Sequence, residues 1–161
     1  MTFWVFNIRD CKNKIRGTAN LLNFRFQNQV WFINPKNRYC KDIRYGDMAI
    51  VYEVGKQRFI ARFTIASEAR PLRSFEKKKL MFYECEENQG FWVIRIKDVD
   101  IFDNPVKISD VIHQLQFIRN KKRWGSYFSG GIVRIWDCDF RVIMRYAGKP
   151  ISWKNYHPSA N

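Results

Sequence analysis

The chain has 161 residues, a formal net charge of +14 and a sequence pI of about 9.9, with 46% hydrophobic and 17% aromatic residues. That length argues for one domain that buries a core without staples, and the apolar content excludes a disordered chain. The charge selects polyanions as partners, nucleic acid first and an anionic membrane surface second.

Thr2 to Ile8 is nearly continuously apolar, which predicts a central strand covered on both faces. It is too short for a signal peptide and Arg9 follows it; no run reaches the ~18 apolar residues of a membrane span. The expected setting is therefore intracellular: cytoplasmic, or nuclear in a eukaryote. Arg9 to Arg16 reads as a basic loop, and Thr18 as the cap of a short helix carrying Leu21, Leu22 and Phe24. Val30 to Ile33 is an apolar segment running into the turn Asn34-Pro35-Lys36-Asn37. A lone Trp is core by default, yet Trp31 lies beside Lys36, Arg38, Lys41 and Arg44, so it is either core or a pocket wall. After a turn at Arg44 to Asp47, Met48 to Val54 and Gln57 to Ala66 form a hairpin about Gly55-Lys56. Phe59, Ala61, Phe63 and Ile65 mark the inner face of its second strand.

Glu68 to Lys79 is a long connection with Pro71, one aromatic, Phe75, and the cations Arg70, Arg73, Lys77, Lys78 and Lys79. Leu80 to Glu84 is the next expected strand, and an acidic turn leads to Gly90. Another strand covers Phe91 to Ile96, extended or followed by Val99 to Phe102, and Asn104-Pro105 ends the run. Ser109 caps a short helix through Leu115 whose inner face is Val111, Ile112 and Leu115. Ile132 to Ile135 is a last strand. Asp137 caps a helix with Phe140, Ile143, Met144 and Ala147 at helical spacing. Residues from Gly148 on form a tail that Trp153 and Tyr156 dock. About six strands with three small helices describe a compact barrel with helices around it.

Motifs of catalysis are missing: no G-x-x-x-x-G-K-[ST], G-x-G-x-x-G or G-x-S-x-G occurs. Cys11, Cys40, Cys85 and Cys138 are scattered and read as reduced structural thiols; neither His113 nor His157 lies near a Cys. No metal and no cofactor is expected.

The most telling stretch is Phe117 to Gly131. Four of the five residues from Arg119 to Arg123 are cationic, and Trp124, Tyr127 and Phe128 follow at once. Four cations cannot be buried without partners, and three large rings are costly to leave in water. Cations for phosphate beside rings for stacking suit a nucleic-acid site. The bland reading is a solvated basic loop pinned by one buried Trp.

The stretch from Leu115 to Trp124, with Phe128, Gly130 and Arg134-Ile135 after it and Asp137-Cys138-Asp139-Phe140 opening a helix, resembles the carboxy-terminal signature of small EVE-domain proteins. Phe3-Trp4-Val5 matches that family's aromatic first strand. Trp31, the Gly46-Asp47 turn and Tyr52 match its remaining landmarks, so the likeness covers the chain up to about Tyr146. It implies an α+β, mainly β fold: a PUA-like bent β-barrel of five or six strands with peripheral short helices, similar to YTH and ASCH domains. The domain would span 1–147 and the tail 148–161. It also implies a non-enzymatic reader that takes one modified base, such as a modified cytosine in DNA or a modified base in RNA, into an aromatic pocket flanked by basic residues. One departure concerns the pocket: the residue after the tryptophan is usually small in these families and is Phe32 here.

On this reading Trp31 and Trp124 are stacking walls and Phe75 a third. Asn34 is the candidate for the base edge; its plainer role is to form the turn before Pro35. Arg119, Lys121, Lys122 and Arg123 hold phosphates, with Lys77, Lys78 and Lys79 as a second rim. Trp124 has a rival role, packing beneath its loop. A cage wall at Trp31 implies a ring partly open to water in the free protein. The partner is nucleic acid, DNA or RNA, carrying a modified base, and no membrane. The alternatives are an ASCH-like hydrolase acting on a modified pyrimidine nucleoside, and an RNA-binding module without modification preference.

Overall fold

The computed structural model describes residues 1–10, 17–80, 90 and 92–150. Most of the basic loop before Gly17, the strand expected at 80–84 apart from Leu80, the acidic turn apart from Gly90 and the tail from residue 151 on, with Trp153 and Tyr156, lie outside the described residues.

Strands β1 (Phe3–Ile8), β2 (Val30–Ile33), β3 (Met48–Glu53), β4 (Arg58–Ile65), β5 (Arg70–Pro71), β6 (Trp92–Lys107) and β7 (Ile132–Ile135) form one seven-stranded sheet. Its order is β2-β6-β4-β3-β1-β7, with the two-residue β5 beside β6. As its apolar run predicts, β1 is interior: it pairs in parallel with β3 and antiparallel with β7. Among its residues only Asn7 is less than fully buried.

The sheet curls into a half-barrel. In the strand order β6, β4 and β3 separate β2 from β1, yet the Phe6 and Trp31 rings are 6.1 Å apart. Phe63 on β4 closes the group, 5.6 Å from Phe6 and 5.2 Å from Trp31. This inner cluster also takes Leu21, Leu22 and Phe26 from helix α1 (Thr18–Asn28). The outer face packs Val5, Tyr52 and Phe59 against helices α3 (Ile108–Val111) and α4 (Asp137–Tyr146) and against Phe117, Ile118 and Phe128. Both faces are covered, which is why β1 and β3 read as apolar runs, while β4 alternates with Arg58, Arg62 and Thr64 only partly buried.

Several local expectations are corrected. The inner face of β4 is not uniform, because its pairing slips against β3 at Val51/Tyr52 and against β6 between Phe59 and Ala61. These bulges turn Phe59 to the outer cluster while Ala61, Phe63 and Ile65 stay inside. Asn104-Pro105 does not end β6. The register jumps from Phe59↔Val106 to Ala61↔Ile101, so the proline falls in the break, where no ladder donor is needed. Part of the long connection after Glu68 is helical: α2 (Ser74–Leu80) includes Leu80, expected to start a strand. The expected caps Thr18, Ser109 and Asp137 lie one or two places inside their helices, which begin after Gly17, Lys107 and Trp136. Asp137 pairs with Arg141 one turn on at 3.0 Å, and Asp139 accepts the Trp136 N–H at 3.1 Å instead.

The expected turn at Gly46-Asp47 holds the strands together. Gly46 takes a φ of 88°, open to glycine. The buried Asp47 carboxylate accepts from Thr2 N at 2.8 Å, Trp4 Nε1 at 3.0 Å and Arg44 N at 3.0 Å, clamping the start of β1 to the entry of β3. Cys40 and Cys138 are free thiols; Cys11 and Cys85 lie outside the described residues. Among the described residues no helix is long and apolar enough to cross a membrane.

Phe63→Ala and Trp31→Ala should each destabilise the fold by ~3–5 kcal/mol in urea denaturation. Because the rings touch, the double variant should lose less than the sum of the two. A Trp31→Ala loss below ~1 kcal/mol would remove this ring from the core.

Candidate nucleic-acid interface

The edge strands of the curl do not close on each other, and the opening between them is a cleft. On one lip stand β2 and its turn, residues 34–39; on the other, the end of β1, Ser129 to Gly131 and the start of β7. Deep in the seam lies a cavity of about 280 Å³, walled by Phe6, Asn7, Arg25, Trp31, Asn34 and Asn37 among others. It shares Asn34, Asn37, Ser129, Gly130 and Ile132 with an open cleft of about 940 Å³ that runs out along β7. That cleft carries the exposed cations Lys36, Arg38 and Arg134 and the rings of Tyr39, Phe117 and Tyr127.

Short polar contacts shape both lips. Asn34 Oδ1 accepts Lys36 N at 3.0 Å, and Asn37 Oδ1 accepts Tyr39 N at 2.9 Å, which is how Asn residues fold their own turn. Asn37 Nδ2 then reaches across the seam to the Gly130 carbonyl at 2.7 Å. On the far lip Asn7 N donates to the Gly131 carbonyl at 2.9 Å, and Asn7 Nδ2 donates to the carbonyl of Phe128. Gly131 has a φ of 81°, a left-handed turn that a side chain would strain. Asn7 lines the cavity, and its Oδ1 is buried without a hydrogen-bond donor.

The basic stretch folds as a 3-10 segment, Lys121–Phe128, capped by Asn120, whose Oδ1 accepts Lys122 N at 3.1 Å and Arg123 N at 3.3 Å. Phe128 anchors it, stacked on Tyr52 at 4.1 Å and 16°. Trp124 is half-buried and packs edge-on against Phe128 at 6.2 Å, so it sits beneath its loop and lines neither cavity. Lys121 is tied back, its Nζ donating to the Leu115 carbonyl. Arg119, Lys122 and Arg123 are exposed. The same turn rests on Asp139, fully buried, which accepts Gln116 N at 2.5 Å. Burial pushes the Asp139 carboxyl up, against backbone N–H donors from Gln116, Trp136 and Phe117 and the charge of Lys121, which pull it down.

Trp31 and Asn34 come together in the inner cavity as the sequence suggested, but Trp31 is 1% exposed and not partly open to water. The cause is the curl, which sets its ring among Phe6 and Phe63, with the Arg25 guanidinium 4.5 Å above it. Phe32 also lines the cavity, while packing with Val30, Leu72 and Val93 in a small separate cluster. Phe75 stands 65% exposed on α2 and, like Lys77, Lys78, Arg119, Lys121, Lys122 and Arg123, lines neither cavity. Helix α2 is pinned to β5 by a bidentate pair, Arg70 Nη1 and Nη2 to Glu76 at 2.7 and 2.9 Å. That pair, aided by Arg73, holds the Glu76 carboxyl down at about 2. Lys77 and Lys78 are exposed on that helix.

Sequence reasoning missed Asn7, Arg25 and Arg134. Two of them left a signal: Asn7 is the polar residue in an apolar strand, and Arg25 falls on the buried face of α1 with Leu21, Leu22 and Phe26. Arg134 appeared only as part of the signature Arg134-Ile135 and was not given a site role.

Comparison with known proteins places the chain. The family model described as EVE domain matches residues 17–146. A search of curated proteins finds no match. Among solved structures, Rpa0253 from Rhodopseudomonas palustris aligns with a TM-score of 0.62 at 13% identity, covering 98% of this chain and 100% of that one. Atu2648 from Agrobacterium tumefaciens gives 0.59 at 12%, covering 92% and 94%. Human THYN1, solved in complex with 5-methylcytosine containing DNA, gives 0.59 at 11%, covering 94% and 100%. The half-barrel with short peripheral helices is the PUA-like fold expected from the sequence, and the chain belongs to the EVE-domain family.

Proposed function

We propose that this chain binds nucleic acid without acting on it chemically, and takes a single modified base out of its stack into the cavity at the sheet seam. The observation that carries this reading is the seam itself: a small cavity with aromatic and amide walls, sharing five wall residues with a cation-lined cleft on a chain of net charge +14. At ~30 Å³ per water-sized atom, the inner cavity holds about nine heavy atoms, the size of one base. Trp31 and Phe6 offer apolar wall, and Asn7, Asn34 and Arg25 offer an acceptor, an amide and a guanidinium to a base edge. A lone methyl group buried there adds only ~0.8 kcal/mol, so base identity rests on the polar contacts and the methyl refines it. The complex of human THYN1 with 5-methylcytosine containing DNA supports modified cytosine as the first ligand to try. The exposed cations of the basic turn, Arg119, Lys122 and Arg123, with Lys77 and Lys78 on α2, form an outer rim for phosphates; Lys121 chiefly fixes the turn.

The test is binding, at one salt concentration, to oligonucleotides that differ at a single position: 5-methylcytosine, cytosine or an abasic site. The abasic oligonucleotide should bind about 5- to 150-fold more weakly than the methylated one, the equivalent of ~1–3 kcal/mol of stacking. Equal affinity for all three would mean no base enters the seam. Equal affinity for the two bases alone would mark a binding module without modification preference.

The outer rim makes a separate forecast. Replacing Lys122 and Arg123 together with Ala should weaken every oligonucleotide alike. It should also flatten the plot of log affinity against log salt, by about one unit for each phosphate no longer neutralised. An unchanged slope would take the basic turn out of the interface.

A further inference from the structure

The open cleft along β7 is much larger than a route into the base cavity needs to be. At ~30 Å³ per water-sized atom its 940 Å³ corresponds to about thirty heavy atoms, more than one whole nucleotide requires. Its lining is also more than electrostatic. Lys36, Arg38 and Arg134 are exposed cations, and Tyr39, Tyr127 and Phe117 supply rings between them. The rings are held in place, and the Arg38 guanidinium lies 4.6 Å over the Tyr39 ring and donates to its hydroxyl at 2.7 Å, so a base that stacks on Tyr39 displaces it or uses the other face. The Tyr127 hydroxyl accepts Asn120 N at 3.0 Å, Phe117 meets Tyr127 edge-on at 6.4 Å, and Tyr39 is edge-on to Trp4 at 5.2 Å. The cleft and the base cavity share the walls Asn34, Asn37, Ser129, Gly130 and Ile132, so the two lie side by side, with the Asn37–Gly130 hydrogen bond between them.

We infer that this cleft is a second nucleotide subsite: it binds the nucleotide directly joined to the captured base, stacking the neighbour's base on its tyrosines and pairing the linking phosphate with Lys36, Arg38 or Arg134. This rests on the base-cavity reading above and adds a ligand class to it. A neighbour that stacks on protein rings has left its own helix, so the ligand is a single strand or a single-stranded stretch of at least a dinucleotide. A base flipped from an otherwise intact duplex leaves its neighbours paired and stacked, and they cannot enter a cleft lined in this way. Since the cleft adjoins the cavity on one side, at these shared walls, it holds the neighbour on one side of the captured base and not the one on the other.

The experiment is a ligand series on the wild-type protein. It compares the 5-methylcytidine mononucleotide with dinucleotides extended on its 5′ or its 3′ side, with those same dinucleotides carrying an abasic neighbour, and with a matched single strand and duplex. Extension on one side should raise affinity about 5- to 150-fold, the worth of one stacked base. An abasic neighbour should return most of that gain, and the single strand should bind more tightly than the duplex. Arg134→Ala and Tyr39→Leu should each shrink the gain from extension. A gain that is the same on both sides, or that survives loss of the neighbour's base, would overturn the subsite and leave the base cavity standing. So would tighter binding to the duplex. Indifference to an abasic site at the captured position itself would remove both.

Discussion

The structure depends on a sheet that curls almost to closure and stops. In the order β2-β6-β4-β3-β1-β7 the two edges are β2 and β7, and the curl brings them face to face. They are not joined by a strand ladder. What spans the gap is the contact of Phe6 with Trp31 at its floor and the hydrogen bond from Asn37 to Gly130 at its rim. Closing the barrel would satisfy the edges and eliminate the site; leaving it open leaves backbone and amide groups facing a cavity. The inner aromatic cluster sets how far the curl goes. The clamp of Asp47 on Thr2, Trp4 and Arg44 fixes β1 beside β3, and hence where the far lip stands.

Much of the basic signature stretch is spent on packing and on fixing its own turn. Its apolar members Leu115, Phe117, Ile118 and Phe128 are buried, Asn120 caps its turn, and Lys121 is spent on a carbonyl. These contacts deliver Ser129, Gly130 and Gly131 to the seam, where they form a lip. The exposed cations then lie outside the cavity, suited to phosphates. The same stretch thus packs against the core and shapes one lip of the seam cavity.

The architecture was legible because it is written in period and punctuation. The apolar runs gave β1 and β3, two-residue alternation gave β4, and the 3.6-residue spacing of Phe140, Ile143, Met144 and Ala147 gave α4. Helix α2 was hidden by Pro71 and a run of lysines that looks solvated in any conformation. The continuation of β6 was hidden because a proline that stops a regular strand is harmless inside a register break, and a break is a property of two strands. The site was legible only in part. Two of the cavity's walls, Trp31 and Asn34, were singled out in the sequence, from their polar and basic surroundings and the family resemblance. Asn7, Arg25 and Arg134 belong to a strand, a helix and a strand far apart in the chain, and only the curl assembles them. Exposure was the weakest inference: polar neighbours in sequence suggested an open ring at Trp31, whereas its neighbours in space are Phe6, Phe63 and Arg25.

Gly130 offers the most direct access to the central claim that ligand enters the seam. It lines both the cavity and the cleft, its backbone is not left-handed, and a Cβ placed on it would meet no atom within 4 Å. Gly130→Trp therefore places a large ring at the opening on a Cβ that meets no atom. The decisive measurement is its affinity for a single-stranded oligonucleotide carrying 5-methylcytosine, beside its thermal melt. The account predicts a melt close to that of the parent and a loss of affinity of at least about tenfold, the order of one stacked base. An unchanged affinity with an unchanged melt would contradict it and move the nucleic-acid site to another face of the protein.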